Sequence, residues 1–111
     1  MSTSQIPFIR WGDYHSKDEN NPDVLEIQVL DTETFDTDYS INANVKHKEN
    51  DQWNDKVLPL KSHDSNNAAL LKQWLDRIRA KKIRKGSTIK ILTWIGISKN
   101  NHVIRKWRIE E

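Results

Sequence analysis

LLKQWLDRIRAKKIRKGSTIKILTWIG, residues 70–96, contains the change of period on which the fold turns. In its first part Leu71, Trp74, Leu75 and Ile78 recur at the spacing of one helix face. In its last part Ile89, Ile91, Thr93 and Ile95 alternate with Lys90, Leu92 and Trp94, the period of a strand. A helix is expected over about residues 66–82, with Asp64 or Ser65 supplying the side-chain oxygen for its first turn. Gly86 is expected to stop it, and Gly96 to permit a bend or bulge in the strand that follows.

Working outward, the flanking sequence reads as strands. Upstream, Leu25, Ile27 and Val29 alternate with Glu26 and Gln28, as in a half-buried strand over residues 24–30. Tyr39, Ile41, Ala43 and Val45 alternate with Ser40, Asn42 and Asn44 to give a second strand, and residues 53–60 read as a third. Pro59 belongs near the end of that strand or on an edge, because it cannot donate to a ladder. Between these strands, DTETFDTD (residues 31–38) is expected to extend the first strand before turning, and KHKENDQ (residues 46–52) to form a solvated turn. Downstream, residues 98–101 make a polar hairpin tip. A fifth strand over residues 103–109 places Val103, Trp107 and Ile109 on one face and Ile104, Lys106 and Arg108 on the other. Residues 1–23 form an N-terminal arm with room for a short strand, ending in a loop at Pro22. The expected fold is mainly β: a five-stranded barrel over residues 24–111 with one helix between the third and fourth strands.

With 111 residues, the chain is sized for one core. It has no cysteine, which excludes a disulfide framework and thiolate metal sites. It opens without the apolar run of a signal peptide, and its apolar stretches are too short to cross a membrane. An intracellular protein, cytoplasmic or nucleoid-associated and without membrane contact, is expected. The net charge of +2 conceals a segregation: 6 Lys and Arg stand against 13 Asp and Glu up to Ser65, and 12 against 3 after it. A basic surface fed by the C-terminal half attracts phosphate backbones, whereas intermingling of the two halves on folding neutralises it.

Signals for catalysis are weak. There is no glycine-rich phosphate loop, nucleophile elbow or paired-histidine helix, and no cofactor or metal is expected. His15, His47, His63 and His102 are scattered and read as surface histidines. The carboxylates Asp31, Glu33, Asp36 and Asp38 lack the glycine and spacing of a calcium loop. Lys81, Lys82, Arg84 and Lys85, preceded by Arg77 and Arg79, stand at the helix C-terminus. The helix dipole favours cations there but does not require six of them, so a phosphate-facing role stays open beside a structural one.

Five tryptophans are many for a domain of this size. Trp74 lies on the helix stripe and Trp107 lies between Val103 and Ile109, so both read as packing residues. Trp53 and Trp94 lie on strands beside polar residues, Trp94 sharing a face with Lys90. For these two, packing and the stacking of a base, worth about 1–3 kcal/mol, both stay open.

The order of elements, with WNDKVLPL on the third strand, LLKQWLDRI on the helix, KGSTIKILTWIG entering the fourth strand and VIRKWRIE in the fifth, resembles the OB-fold single-stranded DNA-binding proteins, particularly compact archaeal and viral ones. The resemblance covers about residues 24–109. It implies a ligand crossing the second and third strands, gripped by the loops between strands one and two and strands four and five. It thereby implies a groove lined by Tyr39, Lys46, Lys48 and Trp53, with Lys90, Trp94, Lys99, Arg105, Lys106 and Arg108 from the last two strands. DTETFDTD departs from this pattern, being acidic where an anion would be held, although Phe35 within it offers a stacking ring. The expected function is non-enzymatic binding of single-stranded nucleic acid in replication, repair or transcription, with DNA favoured and RNA open. The alternative is a small β-barrel interaction module or subunit of a larger assembly, docking a protein through the acidic N-terminal half. Oligomeric state is left open.

Overall fold

The computed structural model describes residues 6–111, so the first five residues of the expected arm lie outside it. Six strands form one antiparallel sheet: β1 (Asp23–Val29), β2 (Phe35–Asp36), β3 (Ser40–Glu49), β4 (Gln52–Ser62), β5 (Thr88–Ile97) and β6 (Val103–Glu110). One helix, α1 (Ala69–Arg79), lies between β4 and β5.

The alternation in β1 and β5 sends Leu25, Ile27 and Val29, and Ile89 and Ile91, into one core with Ala43 and Val45 of β3, Leu58 and Leu60 of β4, and Ile109 of β6. Leu70 and Trp74 of α1 close that core, and Ile9 and Ile83 complete it from the arm and the α1–β5 loop. β3 pairs with β4 along one edge and with β1 and β2 along the other, β1 pairs in turn with β5, and β5 with β6.

This architecture is mainly β with a single helix, and it corrects the expected one in several particulars. There are six strands rather than five, because Phe35 and Asp36 form a short strand against Asn42 and Ile41; β1 itself ends at Val29. The helix therefore follows the fourth strand. KHKENDQ is strand except at its centre: Asn50 and Asp51, at φ 51° and 66°, make a two-residue turn between paired Glu49 and Gln52. Left-handed backbone at both turn positions matches the twist of a hairpin, and Asn and Asp tolerate it better than most side chains. Gly96 stays in register opposite Ile104. What it provides is space, since a Cβ there would stand 3.0 Å from Lys106 Cε.

The helix is shorter than the expected residues 66–82, and neither Asp64 nor Ser65 caps it. Instead, Ser65 Oγ accepts from the Asn67 N–H (3.0 Å) and Asn67 Oδ1 from the Ala69 N–H (3.3 Å), so two side-chain turns lead into the first helical residue.

The sheet is also open. No ladder joins β4 to β6, and their facing edges find other partners. Along β6, Asn67 Nδ2 donates to Arg105 O (2.8 Å) and Gln73 Nε2 to Trp107 O (2.8 Å). Gln73 Oε1 accepts from the Ile109 N–H (3.0 Å), and Arg77 Nη2 donates to Ile109 O (3.1 Å). Along β4, the arm runs parallel: the Ile9 N–H donates to Val57 O and the Val57 N–H to Pro7 O, both at 2.9 Å. Trp11 Nε1 then donates to Pro59 O (2.9 Å). The arm next crosses the opening, where Tyr14 O accepts from Arg105 Nη2 (2.7 Å) and Ser16 O from the Ile95 N–H (2.7 Å).

Gln73 thus satisfies two backbone groups of β6 with one side chain. Gln73→Ala is expected to lower unfolding free energy by about 1–3 kcal/mol, the cost of leaving partly buried polar groups without partners. Urea denaturation checks this; a loss under about 0.5 kcal/mol would show that water replaces the amide at no cost.

Candidate nucleic-acid interface

The pleat turns alternate residues of each strand away from the core, and the register sets them in rows across the outer face of the sheet. One row runs Glu110, Lys90, Glu26, Lys48, Trp53 from β6 to β4, and the next runs Thr88, Gln28, Lys46, Asp55. Lys48 Nζ lies 3.6 Å from Glu26, whereas Lys46 and Lys90 have no ion pair among the described residues. Trp53, directly opposite Lys48 and one residue inside the terminal Glu49–Gln52 pair of the hairpin, remains 39% exposed. An indole beside two lysines on a rigid ladder offers a face for a planar ring and charge for its phosphates.

A second cluster lies on the same face at β5 and β6. Trp94 stands opposite Lys106, and the Arg108 guanidinium lies 5.7 Å from the centre of its ring. Only 7% of Trp94 is exposed, so packing is its role in this structure, and a base would have to displace Arg108 to reach it. Arg108 is also 3.6 Å from Glu110.

Of the other residues expected in the groove, Arg105 turns into the opening between β6 and β4. It donates to Thr93 Oγ1 (3.1 Å) as well as to Tyr14 O, which makes it a tie for the arm. Burial lowers its pKa, with the charge of Asp23 acting the other way. Tyr39, 78% exposed, precedes β3. It lies nine residues from Lys48, about 30 Å at the rise of an extended strand. Lys99 is exposed on the β5–β6 turn. The structure therefore gathers Lys46, Lys48, Trp53 and Lys90, places Trp94, Lys106 and Arg108 beside them, and leaves Tyr39, Lys99 and Arg105 apart.

One feature of the site has no counterpart in the sequence reading. A cleft of about 380 Å³ occupies the opening between β4 and β6, walled by Trp11, Pro59, Val103 and Trp107. Trp11 meets Trp107 edge to face at 5.7 Å and Tyr14 at 6.1 Å. Trp11 and Tyr14, following Ile6, Phe8 and Ile9 in the arm, were the available signal, but their partner on β6 lies more than 90 residues away.

His47, expected at the surface, is buried beneath the hairpin that carries Lys48 and Trp53. Burial lowers its pKa, Glu49 at 3.8 Å raises it, Lys56 lowers it, and the balance is downward. Glu49 pays a desolvation penalty that the Asn54 hydrogen bond (3.3 Å) and Lys56 (3.3 Å) outweigh, so its pKa is also lowered.

Among the described residues no three His, Cys, Asp or Glu side chains gather as a metal site, and no helix is long and apolar enough to cross a membrane. Comparison with protein-family models, with curated proteins and with solved structures finds no match to this chain.

Two outcomes follow for stability. Trp94→Ala should cost about 3 kcal/mol or more, as for a buried aromatic, and Trp53→Ala less than about 1 kcal/mol; equal losses in urea denaturation would contradict the difference in burial. The site of His47 suits the neutral imidazole, so stability is full above its ordinary pKa of 6.5 and falls as the pH drops below it, where the unfolded chain takes up the proton first. His47→Gln should flatten the pH dependence of the urea midpoint between about pH 7.5 and pH 5.5. An unchanged slope would assign the dependence to other groups.

Proposed function

We propose that this protein binds single-stranded nucleic acid, DNA in preference, without catalysing a reaction. The observation that carries the reading is the exposed Trp53 face beside Lys48, with Lys46 next to it on β3 and Lys90 farther along the same row, beyond Glu26. Bases stack on the indole while the lysines neutralise phosphates, a combination that tolerates any sequence because every base has a π face.

The strand connectivity supports the same reading. The pairs β1–β3, β3–β4, β1–β5 and β5–β6 are compatible with the long-strand order of an OB-like barrel, in a sheet that stays open. The pairing that closes such a barrel is replaced here by the arm and by helix side chains. In this arrangement β3 and β4 form the binding face, and they carry Lys46, Lys48 and Trp53. The carboxylates Glu26 and Glu110 interleaved in the row keep the face from becoming a strong polyanion trap, so stacking takes a larger share of the affinity. Protection or organisation of exposed strands in replication, repair or transcription fits such a surface.

Docking of a basic protein segment is a second reading, favoured by the exposed Tyr39 on the β2–β3 turn, preceded by Asp38 and by Asp36 at the end of β2.

Titration with a single-stranded oligonucleotide, followed by anisotropy of a labelled strand, separates the two. Binding should weaken as salt rises, exceed binding of the duplex, and fall about fivefold or more in Trp53→Ala, given about 1–3 kcal/mol per stacked base. No binding at about 50 mM salt, or an unchanged Kd for folded Trp53→Ala, would reject the site.

A further inference from the structure

The loop between α1 and β5 presents Lys81, Lys82, Arg84 and Lys85 to solvent. Several contacts fix its shape. Ile83, at its centre, is buried in the core. The Gly86 N–H donates to Val29 O (2.7 Å), and Ser87 O accepts from the Val29 N–H (2.8 Å), so the loop is tied to the end of β1. Arg84 donates its backbone N–H to Ser87 Oγ (2.9 Å) and its Nε to Lys81 O (3.2 Å). Lys81 adopts φ 62°, a left-handed conformation that is uncommon for a side chain of its kind. Gly86, at φ 90°, supplies the other turn without strain.

The neighbouring cations are already engaged within the chain. Arg77 lies 2.8 Å from Glu111, Arg79 lies 3.5 Å from Asp76, and Lys82 lies 3.9 Å from Glu111. Lys81, Arg84 and Lys85 have no carboxylate partner among the described residues. Arg84 and Lys85 lie about a turn or more past the end of α1, so the dipole of its last turn does not account for them, whereas Lys81 directly follows the C-cap. A held loop with three unpaired cations fits a polyanion.

We infer that residues 81–85 form a second phosphate-binding site, which takes the backbone of the same nucleic acid strand beyond the segment stacked at Trp53. This inference rests on the proposed function. Its geometry follows from β5: Gly86 lies four residues before Lys90, about 13 Å along an extended chain, and Lys90 stands in the row that ends at Trp53. A strand that fills the outer face and continues past Thr88 arrives at the loop. The loop adds electrostatic affinity and length to the site and no base recognition.

The test uses the full chain and the triple variant Lys81→Asn, Arg84→Gln, Lys85→Gln, in which Asn suits the left-handed position and Ile83 is kept. Lys72→Gln, on exposed helix surface, is the control, and urea midpoints verify folding. Kd is measured against oligothymidylates of about 6 and about 20 nucleotides over a salt series, the shorter near the low end of the roughly 4–16 nucleotides one such domain covers and the longer beyond it. The wild type should bind the longer strand more tightly and with a steeper salt slope. The variant should lose more than about tenfold on the longer strand at low salt, with its slope reduced by about 2 at ~0.7 per phosphate, and almost nothing on the shorter. If the wild type binds and the variant matches it in Kd and slope at both lengths, the loop site is overturned while the Trp53 site stands. Equal losses on both lengths also overturn it, as they indicate a general field effect. If polyglutamate of similar length binds the wild type and loses affinity in the variant while the oligonucleotide does not, the loop is a protein-docking site and the inference fails. Failure of the wild type to bind either strand removes both sites.

Discussion

Hydrogen bonds from Asn67, Gln73 and Arg77 to the outer edge of β6 hold the helix against an open sheet, and the rest of the architecture depends on that edge being satisfied. A strand edge left bare in a partly buried opening costs free energy for each unpaired group and invites pairing with another chain. Here one edge is met by side chains of α1 and of Asn67 just before it, and the facing edge of β4 by the backbone of the arm and the Trp11 indole. The arm then crosses to Arg105 and Ile95 and packs Trp11 on Trp107. The opening is bridged without a ladder, and the outer face of β3 and β4 is left free.

That division of labour sorts the aromatic residues. Trp74 belongs to the core, Trp11 and Trp107 to the bridged opening, and Trp94 to a layer under Arg108. Trp53 projects from a hairpin that continues past the region where β1 supports β3, and this leaves its ring accessible. The charges sort in a similar way. The basic half of the chain supplies the α1–β5 loop and the outer face of β6, while the acidic run of residues 31–38 stays at the β1–β3 connection; the halves meet where Glu26 stands opposite Lys90, and no ion pair among the described residues joins them.

Much of this was legible in the sequence because β1, β5 and α1 each bury a single face at a regular period. Leu25, Ile27 and Val29 needed no partner to be read, nor did Trp74. What escaped reading depended on residues distant in sequence. The hairpin at Asn50 and Asp51 is polar on most positions of both faces, so KHKENDQ lacks the apolar alternation that marks a strand, and buried His47 supplies none. The outward position of Trp94 follows from alternation, but its covering comes from the register with β6. Arg105 resembles a phosphate ligand until Tyr14, 91 residues away, takes its guanidinium. The end of α1 was overestimated because residues 80–82, polar or small, carry no apolar position that marks where the helical period stops.

The most direct measurement is the ¹⁵N–¹H spectrum of the five tryptophan indoles during titration with a short oligothymidylate. The Trp53 indole signal should shift with strand concentration, with Lys48 and Lys46 amides following, while Trp74 and Trp94 stay in place. A stationary Trp53 signal in a titration that moves Trp11 and Trp107 would put the ligand in the cleft between β4 and β6 and contradict the assignment of the sheet face.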